Sequence, residues 1–311
     1  MHPWLRALVG VSILFFLIYF FDFRKVASEF SDVNIYLICL VALTILGATM
    51  LGAIAMFLIV SRESEILFSR FLPIYWMSWS VSLVVPGQIG DIASISILLK
   101  RLGFEWSVIL ARSLVDKVIS LLVMSALAIY ALTKIVKINQ YNSNALFSFA
   151  AVLVVVSLLL IAKRNIIAGY FKNKKHKVIN FVRRAIAETR STILFYPKRV
   201  IANIFLTTVK ISLIGLAYWF MFNALGENDI SVWSVIPLVA ASSLVAYVPI
   251  SLNGIGTVEL TGIFLFSSIG LSEPTVLTAF LLLRGLVFAL AWLPTSVLML
   301  VNRKVADDSL S

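Results

Sequence analysis

Apolar runs separated by short polar intervals fill almost the whole chain, and they are of two kinds. Residues 4–21, 35–60, 107–133, 144–162, 200–222 and 275–301 are uninterrupted. About 20 apolar residues cross a hydrocarbon core, so these six predict full transmembrane helices, the longer ones with some tilt. The run at 4–21 is opened by Arg6, closed by Asp22, Arg24 and Lys25, and followed by only a poor small-residue cleavage site. It reads as a retained first span rather than a signal peptide.

The other two runs, 72–99 and 233–269, are broken. The first passes through Leu83-Val84-Val85-Pro86-Gly87-Gln88-Ile89-Gly90-Asp91, and the second is cut across 249–256, where Pro249, Asn253, Gly254, Gly256 and Glu259 repeat the same order of residue types. The legs are about 13 residues each in the first and about 15 and 13 in the second, too short to cross. Each pair of legs predicts a re-entrant helical hairpin that dips into the bilayer and returns to the face it left. Open backbone at that depth is tolerated only beside protein or a watery cavity. The expected fold is therefore an all-α polytopic membrane protein of about six full spans plus two re-entrant hairpins.

Both halves read span, span, broken segment, span: residues 1–143 form a first repeat and 144–301 a second. Three crossings separate equivalent points, so the repeats are inverted and the hairpins enter from opposite faces. Interrupted segments at matching positions of inverted halves are the best sequence pointer to a transport site.

Composition agrees with this reading. Hydrophobic residues make up 61% of the 311 positions and charged ones 13%, with a mean hydropathy of +1.01, far from an ordinary soluble domain. The formal charge of +11 is explained by topology, with no call for nucleic acid. Eighteen basic residues fall on the side of the N-terminus (Arg6, Arg62, Arg70, Lys100, Arg101, eleven in the loop 163–199, Arg303 and Lys304) against four on the other (Arg24, Lys25, Lys134 and Lys137). The positive-inside bias then puts both termini and the basic loop in the cytoplasm. Within 172–190, Val178, Val182, Ile186 and Ile193 just beyond it recur near helical spacing with basic residues between them. That pattern fits either a helix lying on the anionic inner leaflet or a solvated loop. Gly47 and Gly52, with Ala48, Ala53 and Ala55, suit close helix packing. The single Cys39 excludes an intrachain disulfide, and His2 and His176 give no metal site. No cofactor is expected. The tryptophans Trp76, Trp79, Trp106, Trp233 and Trp292 suit interfacial anchoring.

Several motifs carry a family resemblance. They are Pro86-Gly87-Gln88-Ile89-Gly90-Asp91, Leu102-Gly103 and Ala111-Arg112-Ser113-Leu114-Val115-Asp116 in the first half. In the second they are the stretch from Val248 to Glu259, then Ile269-Gly270-Leu271 and Leu283-Arg284. Together they resemble the membrane domain of the lysylphosphatidylglycerol synthase/flippase family, whose free-standing members are called flippase-like proteins. Asp91 departs from the glutamate more usual there, and the neighbouring basic residue is missing.

The resemblance implies an integral protein of the prokaryotic cytoplasmic membrane that moves lipids between leaflets. It also implies re-entrant helices lining a central cavity, and the translocating part without the soluble aminoacyl-transferase domain of some relatives. The partners expected are membrane lipids, with a lipid-modifying or glycosyltransferase partner and a homodimer both left open. No enzyme activity is expected, since no paired-Asp motif or His cluster is present. A non-catalytic scaffold subunit for a lipid-modifying transferase is the alternative. No nucleotide-binding loop is present either, so an ion gradient, the membrane potential or the lipid gradient is the expected drive.

Seven residues are the candidate substrate contacts. Asp91 and Glu259 each open the second leg of a hairpin. There a carboxylate caps free N–H groups, worth about 0.5 to 2 kcal/mol, or forms part of a polar site. An ionisable group at mid-membrane costs about 2.5 to 3.5 kcal/mol and usually marks function. Asp91, Asp116 and Glu259 are the candidates for a coupling proton. Arg112 and Asp116, four apart on one helix face, can pair. Arg284 is the expected phosphate contact, because guanidinium binds phosphate oxygens in a fork. Asp116 and Arg284 follow Gly103 and Gly270 at almost equal spacing, so a twofold axis in the membrane plane would bring them to similar depths. Gln88 and Asn253 supply donor and acceptor to a headgroup or to freed backbone. Pro86, Gly87, Gly90, Pro249, Gly254 and Gly256 make the breaks.

Overall fold

The computed structural model describes residues 12, 34–61, 66–85, 90–100, 105–136, 187, 189–247 and 251–308, with the side chains at 90–93, 107, 252 and 298–308 excluded. The expected spans 4–21 and 144–162, and the loop 163–199 up to 186, lie outside the described residues, as do Pro86, Gly87, Gln88 and Pro249.

The first described helix, α1 (Ile35–Val60), begins where the Asn34 side chain accepts a hydrogen bond from the Tyr36 N–H at 3.0 Å. It runs for 26 residues with little polar content. Its Thr44 and Thr49 hydroxyls donate to carbonyls a turn earlier at 2.9 and 2.8 Å, so neither is left unsatisfied in an apolar setting. Two further long helices follow the same logic. These are α4 (Trp106–Tyr130), which ends in a wider turn at Ala131–Ile135, and α5 (Pro197–Ala224), which starts on a proline at its first position. The last helix, α8, spans Glu273–Asp308. Each of these four carries a stretch long and apolar enough to cross a membrane.

Between them the interrupted runs fold as short helices. The first gives α2 (Phe68–Ser82) and α3 (Gly90–Lys100), and the second gives α6 (Val232–Leu244) and α7 (Thr257–Ser267). At 1.5 Å per residue they measure roughly 16 to 22 Å, against a hydrocarbon core of about 30 Å. The break in the second run falls where its prolines and glycines predict it. A shared detail was not anticipated: Pro73 and Pro237 each occupy the sixth position of the first leg.

Packing joins the two halves. α1 lies along α5, and the small residues Ala48, Gly52, Ala53 and Ala55 are buried on α1. Gly47 faces Leu213 across that seam, as small residues at membrane-helix interfaces allow. The two legs of each broken segment pack on each other. The second leg of each packs on the long helix that follows it, α3 on α4 and α7 on α8. The first leg packs on the corresponding helix of the other half, α2 on α8 and α6 on α4. Among these eight helices, exchanging α1 with α5, α2 with α6, α3 with α7 and α4 with α8 carries the set of packed pairs onto itself. Phe222, Phe266 and Phe280 anchor the largest apolar cluster, with the Tyr218 and Phe280 ring centroids 4.6 Å apart.

Candidate functional site

The break between α6 and α7 is a chain reversal built from left-handed backbone. Asn253 has φ 44°, Gly254 φ 74° and Gly256 φ 80°. Asparagine is among the few side chains that tolerate this region, and glycine adopts it without cost. A Cβ at Gly254 would also sit 2.5 Å from Val258 and 2.9 Å from Ala246, so the reversal has no room for a side chain there. The Thr257 hydroxyl donates to the Gly254 carbonyl at 3.1 Å and lies 3.2 Å from the Ser251 hydroxyl.

This reversal leads into the first turn of α7, whose third residue is Glu259. The side chain is fully buried, and both carboxylate oxygens are used. Oε2 accepts the Gly256 backbone N–H at 2.7 Å, which caps the helix. Oε1 accepts Nε–H of Arg284, from α8, at 2.6 Å. One oxygen thus fills the expected role of a helix cap, and the other pairs with Arg284. Arg284 keeps 19% of its side chain exposed. Among the described residues no hydrogen bond reaches its two terminal nitrogens, and the side chain lines a cavity of about 320 Å³.

The cavity lies between the halves, with walls from α1, α2, α4, α5, α6, α7 and α8 and from the reversal at Asn253. Trp79 and Tyr75 reach it from α2, so Trp79, expected as an interfacial anchor, lines the cavity. Two cations absent from the expected contacts also line it, Lys117 of α4 and Lys210 of α5. Gly52 makes room for the second: a Cβ there would lie 2.5 Å from the Tyr75 hydroxyl and 3.2 Å from Cδ of Lys210.

Asp116, one residue before Lys117, does not line the cavity. It is 5% exposed and accepts a hydrogen bond from Nδ2 of Asn203 at 2.8 Å. The same nitrogen donates to the Ala55 carbonyl at 2.8 Å, while the Thr207 hydroxyl donates to the Asn203 side-chain oxygen Oδ1 at 3.4 Å. Arg112 is buried in the same wall, donating Nη1 to the carbonyl at the end of α1, Val60, at 2.9 Å. Of the seven expected contacts, then, Asn253 and Arg284 reach the cavity and Glu259 stands directly behind Arg284. Arg112 and Asp116 belong to a buried polar cluster joining α1, α4 and α5. Asp91 is the second residue of α3, in the first turn as Glu259 is in α7.

Asn203 and Thr207 escaped the sequence reading, as did the lysines. Their signal is the polar series Asn203, Thr207 and Lys210, which recurs every three to four residues on one face of an otherwise apolar span.

Apolar helices of membrane length, two interrupted helical segments and a cavity among them define a multi-pass membrane protein that is all-helical among the described residues. The particular family follows from comparison. Residues 4–294 match the family described as lysylphosphatidylglycerol synthase TM region, and the chain belongs to it. No curated protein and no solved structure matches it.

Proposed function

We propose that this chain is a lipid flippase-like transporter that moves a polar-headed lipid between leaflets without chemically altering it. The headgroup, aminoacylated, glycosylated or carried on a polyprenyl phosphate, passes through the cavity while the hydrocarbon chains stay in the bilayer. In this reading the two broken segments are re-entrant hairpins of inverted repeats, entering from opposite faces of a prokaryotic cytoplasmic membrane whose inner side holds both termini.

The observation that carries it is a largely apolar cavity whose walls come from both broken segments and into which Arg284, paired with Glu259, and two lysines reach. Three features support the repeat: the exchange of helix contacts between halves, the matching prolines at 73 and 237, and the carboxylates at matching turns. A site near the interface of two such repeats suits alternating access.

The test is leaflet exchange of fluorescently labelled lipids in proteoliposomes holding the purified chain. We expect exchange well above protein-free vesicles and, in Arg284→Ala, a rate lower by about tenfold, the loss of one charge-assisted contact. Exchange no faster than in empty vesicles for every headgroup class would refute the proposal.

A further inference from the structure

Many hydroxyls on the apolar helices of this chain are satisfied by their own backbone. Thr49, Thr208 and Ser296 each donate to the carbonyl four residues earlier at 2.8 Å. Ser82, on the wall of the cavity, donates to the Trp79 carbonyl at 2.6 Å. Four other side chains on that wall behave differently. Among the described residues, Ser120 of α4, Tyr218 of α5 and Ser243 of α6 make no hydrogen bond, and neither does the indole N–H of Trp79 on α2. Ser120 is only 4% exposed and Tyr218 only 8%. All four polar atoms nevertheless stay accessible, unlike the enclosed indole N–H of Trp76 one turn away. A largely buried hydroxyl without a protein partner is unfavourable unless something else matches it.

What these groups match follows from their hydrogen-bonding capacity. Serine and tyrosine hydroxyls both donate and accept, whereas the indole N–H and the terminal nitrogens of Arg284 only donate. The ammonium of an aminoacyl headgroup has donors alone, so it cannot serve Trp79 or Arg284. A phosphate has acceptors alone and is too compact to touch groups on five helices around one cavity. A sugar ring carries hydroxyls around its whole rim, and each can donate or accept. We infer that Trp79, Ser120, Tyr218 and Ser243 bind the hydroxyls of a sugar-bearing lipid headgroup beside the Arg284 fork. This deepens the transport reading and rests on it.

The surroundings fit a sugar. The rings of Trp79 and Phe288 line the same space, and such flat apolar surfaces suit the C–H face of a pyranose. An apolar lining with a few polar groups placed among it is the usual composition of a small-ligand site. Nε of Arg284 is held by Glu259, which fixes the guanidinium plane and so gives the hydroxyl cluster a rigid neighbour. At about 320 Å³ the cavity is at the small end of ligand sites, which run from about 300 to 1,000 Å³, enough for a sugar headgroup but not for acyl chains.

The experiment is a competition read by native mass spectrometry of the full chain, purified without glycoside detergents and released from phosphatidylcholine nanodiscs. The competing lipids are monoglucosyldiacylglycerol and lysylphosphatidylglycerol with identical acyl chains. The glucosyl lipid should be retained at least about tenfold over the lysyl lipid. Tyr218→Phe, Ser120→Ala and Ser243→Ala should each lower retention of the glucosyl lipid by about two- to tenfold, the worth of one hydrogen bond, and leave the lysyl lipid unchanged. Their thermal midpoints should not fall, because no protein hydrogen bond is lost. Equal or stronger retention of the lysyl lipid by the wild-type chain overturns the inference, as does a preference untouched by all three variants. A fall in thermal midpoint in all three would mean that the protein itself uses these hydroxyls, and overturns it too. Free glucose at the same concentration should not displace the lipid; complete displacement would make this a site for a free sugar and overturn the lipid assignment. Proteoliposome exchange of the same two lipids separates the two claims. Selective retention without exchange rejects transport and leaves the sugar site standing, while equal exchange of both without selective retention rejects the sugar site and leaves transport standing.

Discussion

Glu259 is the residue on which the local geometry turns, because its two oxygens tie a helix start to a cation on another helix. A carboxylate accepts from both sides. A glutamine amide has one acceptor oxygen and one NH₂, so in Glu259→Gln either the Gly256 N–H or Arg284 Nε–H must face another donor. We expect a loss of about 3 kcal/mol, the low end for breaking a buried ion pair, because Arg284 can still turn into the cavity. Thermal unfolding of the purified protein measures it, and Glu259→Gln/Arg284→Gln should recover part of the loss by removing the uncompensated charge. The sequence singled out Glu259, Arg284 and Asn253 through their motifs and their cost in a membrane. It could not tell which faces of α4 and α5 look inward. Adjacent helix residues point about 100° apart, so Asp116 faces Asn203 in the wall while Lys117 lines the cavity.

At the scale of elements, the interruptions were legible because proline, glycine and the left-handed preference of asparagine act locally. The bounds of α1 and the break before α7 stand where the hydrophobic pattern put them. Packing between helices was less legible, since it depends on which small residue meets which neighbour. Gly215 on α5 is an example: a Cβ there would lie 2.7 Å from Cα of Ile236 on α6, a backbone atom that cannot move alone. Gly215→Ala should therefore cost about 1 to 3 kcal/mol by forcing the two helices apart. Gly285→Ala, where nothing lies within 4 Å of the added carbon, should cost nothing. Chemical or thermal unfolding of the two variants side by side gives the comparison.

For the whole molecule, the informative feature is that helix contacts exchange between halves. α1 and α5 form the central seam, and each broken segment bridges the long helix of its own half and that of the other. The order of runs hinted at two matching halves, but no single-chain periodicity reports which helix of one half touches which of the other. A cavity walled by seven of the described helices follows from that crossing-over, and so does the gathering of three cations that lie far apart in sequence. In this account the two broken segments each return to the face they came from, one on each side of the membrane.

Cysteine accessibility tests that claim most directly. Cys39 is first replaced by serine, and single cysteines are then placed at the exposed ends of the two segments: Leu67→Cys and Glu105→Cys for the first, Ser231→Cys and Ser272→Cys for the second. With a membrane-impermeant maleimide, the account predicts that Leu67→Cys and Glu105→Cys both react from the cytoplasmic face only, and Ser231→Cys and Ser272→Cys both from the opposite face only. Labelling of the two ends of either segment from different faces would make that segment a crossing and contradict the account.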